Sequence, residues 1–335
     1  MKSLRFLFLL PALVFVLDLL FSPDLGLRAL AVPILKISSG LHIFLPIVTV
    51  FALGIMSPSQ KRRVLQICAL AVVVNLLNFF LHLPATILAM TLLGWVHFFW
   101  NYYHFGSQAQ GVFKFFSFGR VPEKFRRFEA WAVGLTYFVL IPYAVVADNA
   151  RLQSIMFFQL SQSGNHLPLI LTLTALQLIA YLLVASACGL RFNWNRLLAL
   201  SYMIAPPLIA LTNSLSLRLF LYLLPHQLSE IYFQLKICRG LLRESASPVL
   251  SAVKLAVPLI AGVAGLYLAY NYPQIRAALS GGPMSWAEYR HSSPLFHWGS
   301  ALFIASALVH FYADGIIYRF RDPRIRERVL PYLQS

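Results

Sequence analysis

Ten stretches of this chain stay apolar for long enough to approach the length that a bilayer demands, and they leave room for little else. Their approximate bounds are 5–21, 40–56, 64–82, 85–105, 129–148, 167–188, 197–212, 214–235, 250–270 and 296–318. A helix needs about 20 apolar residues to cross the hydrocarbon core. Only 11% of the 335 residues are charged, against about 25% in ordinary soluble domains. Mean hydropathy is +0.72. A soluble fold of this length could not bury so much apolar surface, so the bilayer must serve as solvent. The expected fold is an all-α, polytopic transmembrane helix bundle of about ten spans, within a range of eight to ten, forming a single integral membrane domain over 1–335. The stretches 197–212 and 214–235 read either as one long helix or as a pair broken at Thr212-Asn213-Ser214. Pro206-Pro207 also disturbs the first of them.

Charge orients the bundle. The formal net charge is +16, but the basic residues follow the ends of the apolar runs. This is the pattern of cytoplasmic loops rather than of a nucleic-acid surface. With ten spans and the N-terminus inside, the cytoplasmic segments hold Lys2, Arg5, Lys61, Arg62, Arg63, Lys114, Arg120, Lys124, Arg126, Arg127, Arg191, Arg196, Lys236, Arg239, Arg243 and the five arginines from Arg319 to Arg328. These are twenty of the 27 lysines and arginines. Nine spans would carry the basic C-terminal tail to the wrong side. Both termini are therefore expected in the cytoplasm. Residues 1–21 have a basic start and an apolar run but no Ala-x-Ala-like exit, and Asp18 interrupts the run. They read as an uncleaved first helix. Cys68, Cys188 and Cys238 show no C-x-x-C spacing, so neither a disulfide framework nor a structural zinc site is expected.

Two segments outside the spans are distinctive. Residues 106–128 interleave phenylalanines with lysines and arginines, as a cytoplasmic interfacial loop on anionic lipid would. A sharper reading makes this loop a lid over a site at the membrane surface. Residues 320–335 form a second basic, surface-lying tail.

The chemistry-bearing residues fall at helical spacing. At about 100° per residue, His97, Asn101, His104, Gln108 and Gly111 lie within roughly 40° of one line. Polar groups are costly at membrane depth, so this stripe should face the bundle interior. His226 and Glu230 stand four residues apart, and His310 and Asp314 repeat that spacing. In the ten-span arrangement His104, Glu230 and Asp314 all lie near inner helix ends. Imidazoles and carboxylates from three helices can then meet at one depth. Such donors suit iron, and less well manganese or zinc, and helix bundles commonly build di-metal sites this way. The expected metal ligands are His104, His226, Glu230, His310 and Asp314, with His97 a further candidate and Asn101 and Gln108 orienting the ligands. His42, His82, His166, His291 and His297 fall at or near outer ends, where a membrane histidine is usually a packing or interface residue. Asp18, Asn75, Asn78 and His82 suit helix association. No phosphate loop, nucleophile elbow or HEXXH motif occurs.

The stretch His104-x3-Gln108-x2-Gly111 and the closing His310-Phe-Tyr-x-Asp314-Gly-x-Ile-Tyr-Arg319 resemble a set of uncharacterised bacterial polytopic membrane proteins. Those proteins carry a span-end H-x3-Q-x2-G and a last-helix H-x3-D-G-x-I-W-R. The run Tyr103-His104-Phe105-Gly106 is similar to the Y-H-F-G of the Brp/Blh carotene-cleaving dioxygenases, membrane enzymes with histidine-bound iron. The early P-H-G-x-x-D segment of that family is missing here. The resemblance therefore implies a membrane metalloenzyme of the bacterial inner membrane, but not its substrate.

The function expected from all this is a membrane-embedded, non-haem iron oxygenase or hydroxylase with one or two irons. Its partners would be a lipid or other hydrophobic small molecule, the bilayer and an electron donor, with no nucleic acid. Trp95, Phe98, Phe99, Trp100, Tyr102 and Tyr103 would line the substrate path. Two other classes fit the same residues: a proton- or metal-coupled transporter, and a lipid-binding protein without chemistry. Intramembrane ionisable groups mark transport pathways equally well.

Overall fold

The computed structural model describes residues 27–81, 92, 96, 100, 101, 103–114, 121–146, 166–211, 215–280, 294–318 and 322–334. Every regular element among them is helical, and no strand occurs among the described residues. In chain order the helices are α1 (Leu27–Leu53), α2 (Pro58–Leu81), α3 (103–114), α4 (Glu123–Leu135), α5 (Ile141–Val146), α6 (Leu167–Ala187), α7 (Trp194–Leu211), α8 (Leu215–Glu244), α9 (Pro248–Ser280), α10 (Pro294–Ile317) and α11 (Pro323–Gln334). A π-helical turn, Thr136–Leu140, joins α4 to α5. The expected first span, 5–21, and most of 85–105 lie outside the described residues. So do His82 and the side chains of Asn75 and Asn78.

Three helices are long and apolar enough to cross a membrane: Pro33–Leu53, Leu167–Ala187 and Pro248–Leu268. Arg196–Leu211 and Ala301–Ile317 are shorter apolar helices. The large side chains of Leu169, Leu176, Ile179 and Leu183 on α6, and of Val249, Val257 and Ile260 on α9, are exposed. Contiguous apolar surface of this kind is uncommon on soluble monomers and suits lipid.

The described residues fall into two compact units. One comprises those within Met1–Leu35 and Asn101–Ser229, the other those within Lys36–Trp100 and Glu230–Ser335. Two of the edges between the units, at residues 35 and 229, fall inside the continuous helices α1 and α8.

In the first unit α6 packs on α7 and on α4. Polar contacts join these apolar helices. Gln177 donates from Nε2 to the Ala132 carbonyl at 2.5 Å and to Thr136 Oγ1 at 3.0 Å. A side-chain amide thus engages a carbonyl of the α4 ladder where the π turn begins, which is a recognised cause of such bulges. The Tyr181 hydroxyl donates to Glu129 Oε1 at 2.6 Å, with both side chains buried. Helix α6 stops in a Schellman turn. Gly189, at φ +64°, donates to Ser186 O at 2.8 Å, and Leu190 donates to Ala185 O at 3.0 Å.

In the second unit α10 packs against α2, α9 and α11. Leu45, Val48, Cys238 and Leu255 form a core cluster drawn from α1, α8 and α9. Gly262 of α9 faces the Phe44 ring so closely that a Cβ there would lie 2.7 Å from it, and Gly40 faces Val263 in the same way at 3.2 Å. Small residues allow this approach of α1 and α9. Helix α2 begins in a capping box: the Ser57 amide donates to Gln60 Oε1 at 2.7 Å, and the Gln60 amide donates to Ser57 Oγ at 3.3 Å. Helix α11 holds the basic tail, with Ile325, Val329 and Leu333 buried. Arg328 donates to the Leu53 carbonyl at 2.9 Å and so caps the end of α1.

Two element boundaries depart from expectation. Helix α1 starts at Leu27 rather than near residue 40, because a helix accommodates Arg28 and Lys36 where an apolar window does not. Lys36 Nζ donates to Asn271 Oδ1 at 2.8 Å, which satisfies its charged end. Residues 106–114, expected as loop, continue the helix of His104. The stretches around 197–212 and 214–235 hold α7 and α8, and residues 212–214 between them lie outside the described residues.

Candidate metal centre

The second unit buries two acids, two imidazoles and a glutamine. Glu230 and Gln234 are on α8, His310 and Asp314 on α10, and His42 on α1. Glu230 has no solvent exposure, His310 1% and Asp314 5%. Each is inward by helical periodicity. Residues 230 and 234, like 310 and 314, are one turn apart on one face.

Three contacts define the cluster. His310 Nε2 is 3.8 Å from Asp314 Oδ2, as the four-residue spacing anticipates. The Glu230 and Asp314 carboxyl groups are hydrogen-bond neighbours. The His42 and His310 rings meet edge to face, with centroids 4.3 Å apart. One oxygen of Glu230 carries two donors: Gln234 Nε2 at 2.5 Å and the Tyr318 hydroxyl at 2.7 Å, both on Oε1. Among the described residues no amide, ring or hydroxyl donor reaches Glu230 Oε2.

This arrangement has an electrostatic consequence. Two unit charges 4 Å apart repel by about 4 kcal/mol at an effective dielectric of about 20. Buried carboxylates in contact therefore need a cation, either a proton or a metal ion. His310 and Asp314 present ligand atoms within 4.8 Å of one another, close enough to hold such an ion. Imidazole and carboxylate together are a borderline donor set that accepts iron, manganese or zinc.

The first unit holds a second buried histidine group. His104 of α3 and His226 of α8 have ring centroids 5.0 Å apart and offer ligand atoms within 4.8 Å. Phe105 packs on the His226 ring at 4.0 Å. This pair can likewise hold a metal ion. Gln108 donates from Nε2 to the His226 carbonyl and to Ser229 Oγ, each at 3.4 Å. It thus braces the α8 backbone rather than orienting an imidazole. Asn101 is half-buried on the same helical run.

His97 lies outside the described residues, as do Trp95, Phe98, Phe99 and Tyr102 of the expected aromatic path. Trp100 and Tyr103 are exposed. His166 behaves as a packing residue, sharing a hydrogen bond with the Tyr143 hydroxyl at 2.8 Å. His42 was placed by sequence at an outer helix end, yet it touches His310. The misplaced start of α1 accounts for this, since helix α1 already runs fifteen residues before His42. Tyr318 and Gln234 also went unassigned from sequence. Their one usable signal was that they extend the helical faces of Asp314 and Glu230 by a further turn.

No protein-family model, curated protein or solved structure matches the chain. What the residues define is a helical protein with apolar, membrane-length helices and buried histidine and carboxylate groups able to hold a metal ion.

Proposed function

We propose that this chain is a multi-pass protein of the bacterial inner membrane, with about ten spans and both ends cytoplasmic, and a non-haem iron oxygenase or hydroxylase acting on a lipid-soluble substrate. The observation that carries the reading is the buried Glu230–Asp314 carboxyl pair with His310 beside it. Acids are rare in this chain, and burying two of them in contact is costly unless a cation compensates. In this reading His310, Asp314 and Glu230 supply metal ligands, with His42 packed against them. The sequence assigns His104 and His226 as ligands too, and their pairing in the first unit supports that role.

Bound iron would supply dioxygen chemistry: one oxygen atom enters a C–H bond of the substrate, and the other leaves as water. An electron pair and protons come from a separate donor. The protein's contribution is a buried, low-dielectric site that excludes bulk water. The basic segments at 114–127 and 324–328 sit well for an anionic leaflet and an acidic electron donor.

The reading is tested by comparing lipid extracts of bacterial cells expressing the wild-type chain or His310→Ala at equal membrane abundance. The reading expects an oxygenated lipid, isolated by mass spectrometry, in the wild-type extract alone. Identical extracts under aerobic, iron-replete growth would contradict it.

A further inference from the structure

We infer that Tyr318 and Gln234 are positioning residues that commit Glu230 to binding a metal ion through one oxygen, Oε2. The inference rests on the metal-site reading above and extends it to residues that touch no ion themselves.

The argument is one of occupied lone pairs. A carboxylate oxygen accepts about two hydrogen bonds. Glu230 Oε1 already accepts one from Gln234 Nε2 at 2.5 Å and one from Tyr318 Oη at 2.7 Å. The two donors also touch each other, at 3.2 Å. They come from different helices, Gln234 from α8 and Tyr318 from the turn after α10. Together they fix the rotation of the carboxyl group. Oε1 is thereby saturated, while among the described residues no amide, ring or hydroxyl donates to Oε2, and the Asp314 carboxyl is the further neighbour of Glu230.

Two consequences follow for a bound cation. Glu230 arrives already oriented, so less rotamer entropy is lost on binding. It also cannot chelate through both oxygens without giving up the Gln234 and Tyr318 bonds. One-oxygen binding leaves coordination positions open, and open positions are what separate a reactive metal site from a closed structural one. Outer hydrogen-bond partners of metal ligands typically contribute 10–100-fold in affinity.

The test uses the full-length chain in detergent, stripped of metal and titrated with Mn2+ followed by electron paramagnetic resonance. Tyr318→Phe keeps the ring and removes only the hydroxyl. Gln234→Met keeps the length and removes the donor. Each is expected to weaken Mn2+ binding 10–100-fold and to change the line shape of the bound ion, as a bidentate carboxylate alters its symmetry. Size-exclusion profile and melting temperature without metal separate this from a folding defect. Affinity and line shape equal to wild type in a well-folded Tyr318→Phe protein would overturn the inference and leave the metal site standing. If the wild-type chain binds no Mn2+, both fall.

Discussion

His310 and Asp314 were legible as a pair because a four-residue spacing puts both on one helix face, and the structure places their side chains 3.8 Å apart; His226 and Glu230 share that spacing but belong to different groups. His42 was not legible in this way. Its meaning depends on where α1 begins, and the helix starts thirteen residues before the apolar window near 40. Tyr318 follows the last turn of α10 and reaches Glu230 on another helix. No spacing rule within one helix can announce such a contact. Gln108 was legible in position, on the His104 face, but not in its partners, which are the His226 carbonyl and Ser229 Oγ. Gln108→Leu should therefore cost about 0.5–1 kcal/mol of stability and leave metal content unchanged. Thermal unfolding in detergent, with metal analysis of the same sample, checks both halves.

Helix identities were legible from apolar length, and the bounds of α6 nearly residue by residue. There a Cys188-Gly189 stop follows an uninterrupted apolar run. What escaped was the extent of helices through polar residues, at Arg28 and Lys36 in α1 and over 106–114 in α3. Charge ends an apolar window, but a long basic side chain does not end a helix when its head finds a partner, as Lys36 does on Asn271. Packing between elements was the least legible of all. Gly262 looks like any glycine in an apolar segment, yet it is where α9 meets the Phe44 ring of α1. Gly262→Leu should lower stability by about 1–3 kcal/mol through overpacking. Gly265→Leu, on the same helix with open space around it, should lie much closer to wild type. Melting temperatures of the two variants, measured side by side, test this contrast.

For the whole chain, three helices are long and apolar enough to cross a membrane, and the asymmetry of lysine and arginine is the basis of the proposed orientation. Two edges of the compact units run through helices α1 and α8, so no linker composition marks them in the sequence. The ten-span arrangement predicts that a cytoplasm-active reporter fused after residue 63, after residue 191 or at the C-terminus will be active. It predicts that the same reporter after residue 151 or 290 will be silent. A silent C-terminal fusion in a stably inserted protein would contradict the cytoplasmic C-terminus and with it the ten-span arrangement. The central claim is that buried acids and imidazoles hold a cation. It is tested most directly by measuring metal in the full-length protein, purified from aerobically grown cells without added chelator. The account predicts about one to two equivalents of iron or a similar metal per chain, falling to background in Glu230→Gln and His310→Ala proteins that still elute as folded species. Metal-free wild-type protein, or variants that keep the full metal complement, would contradict it.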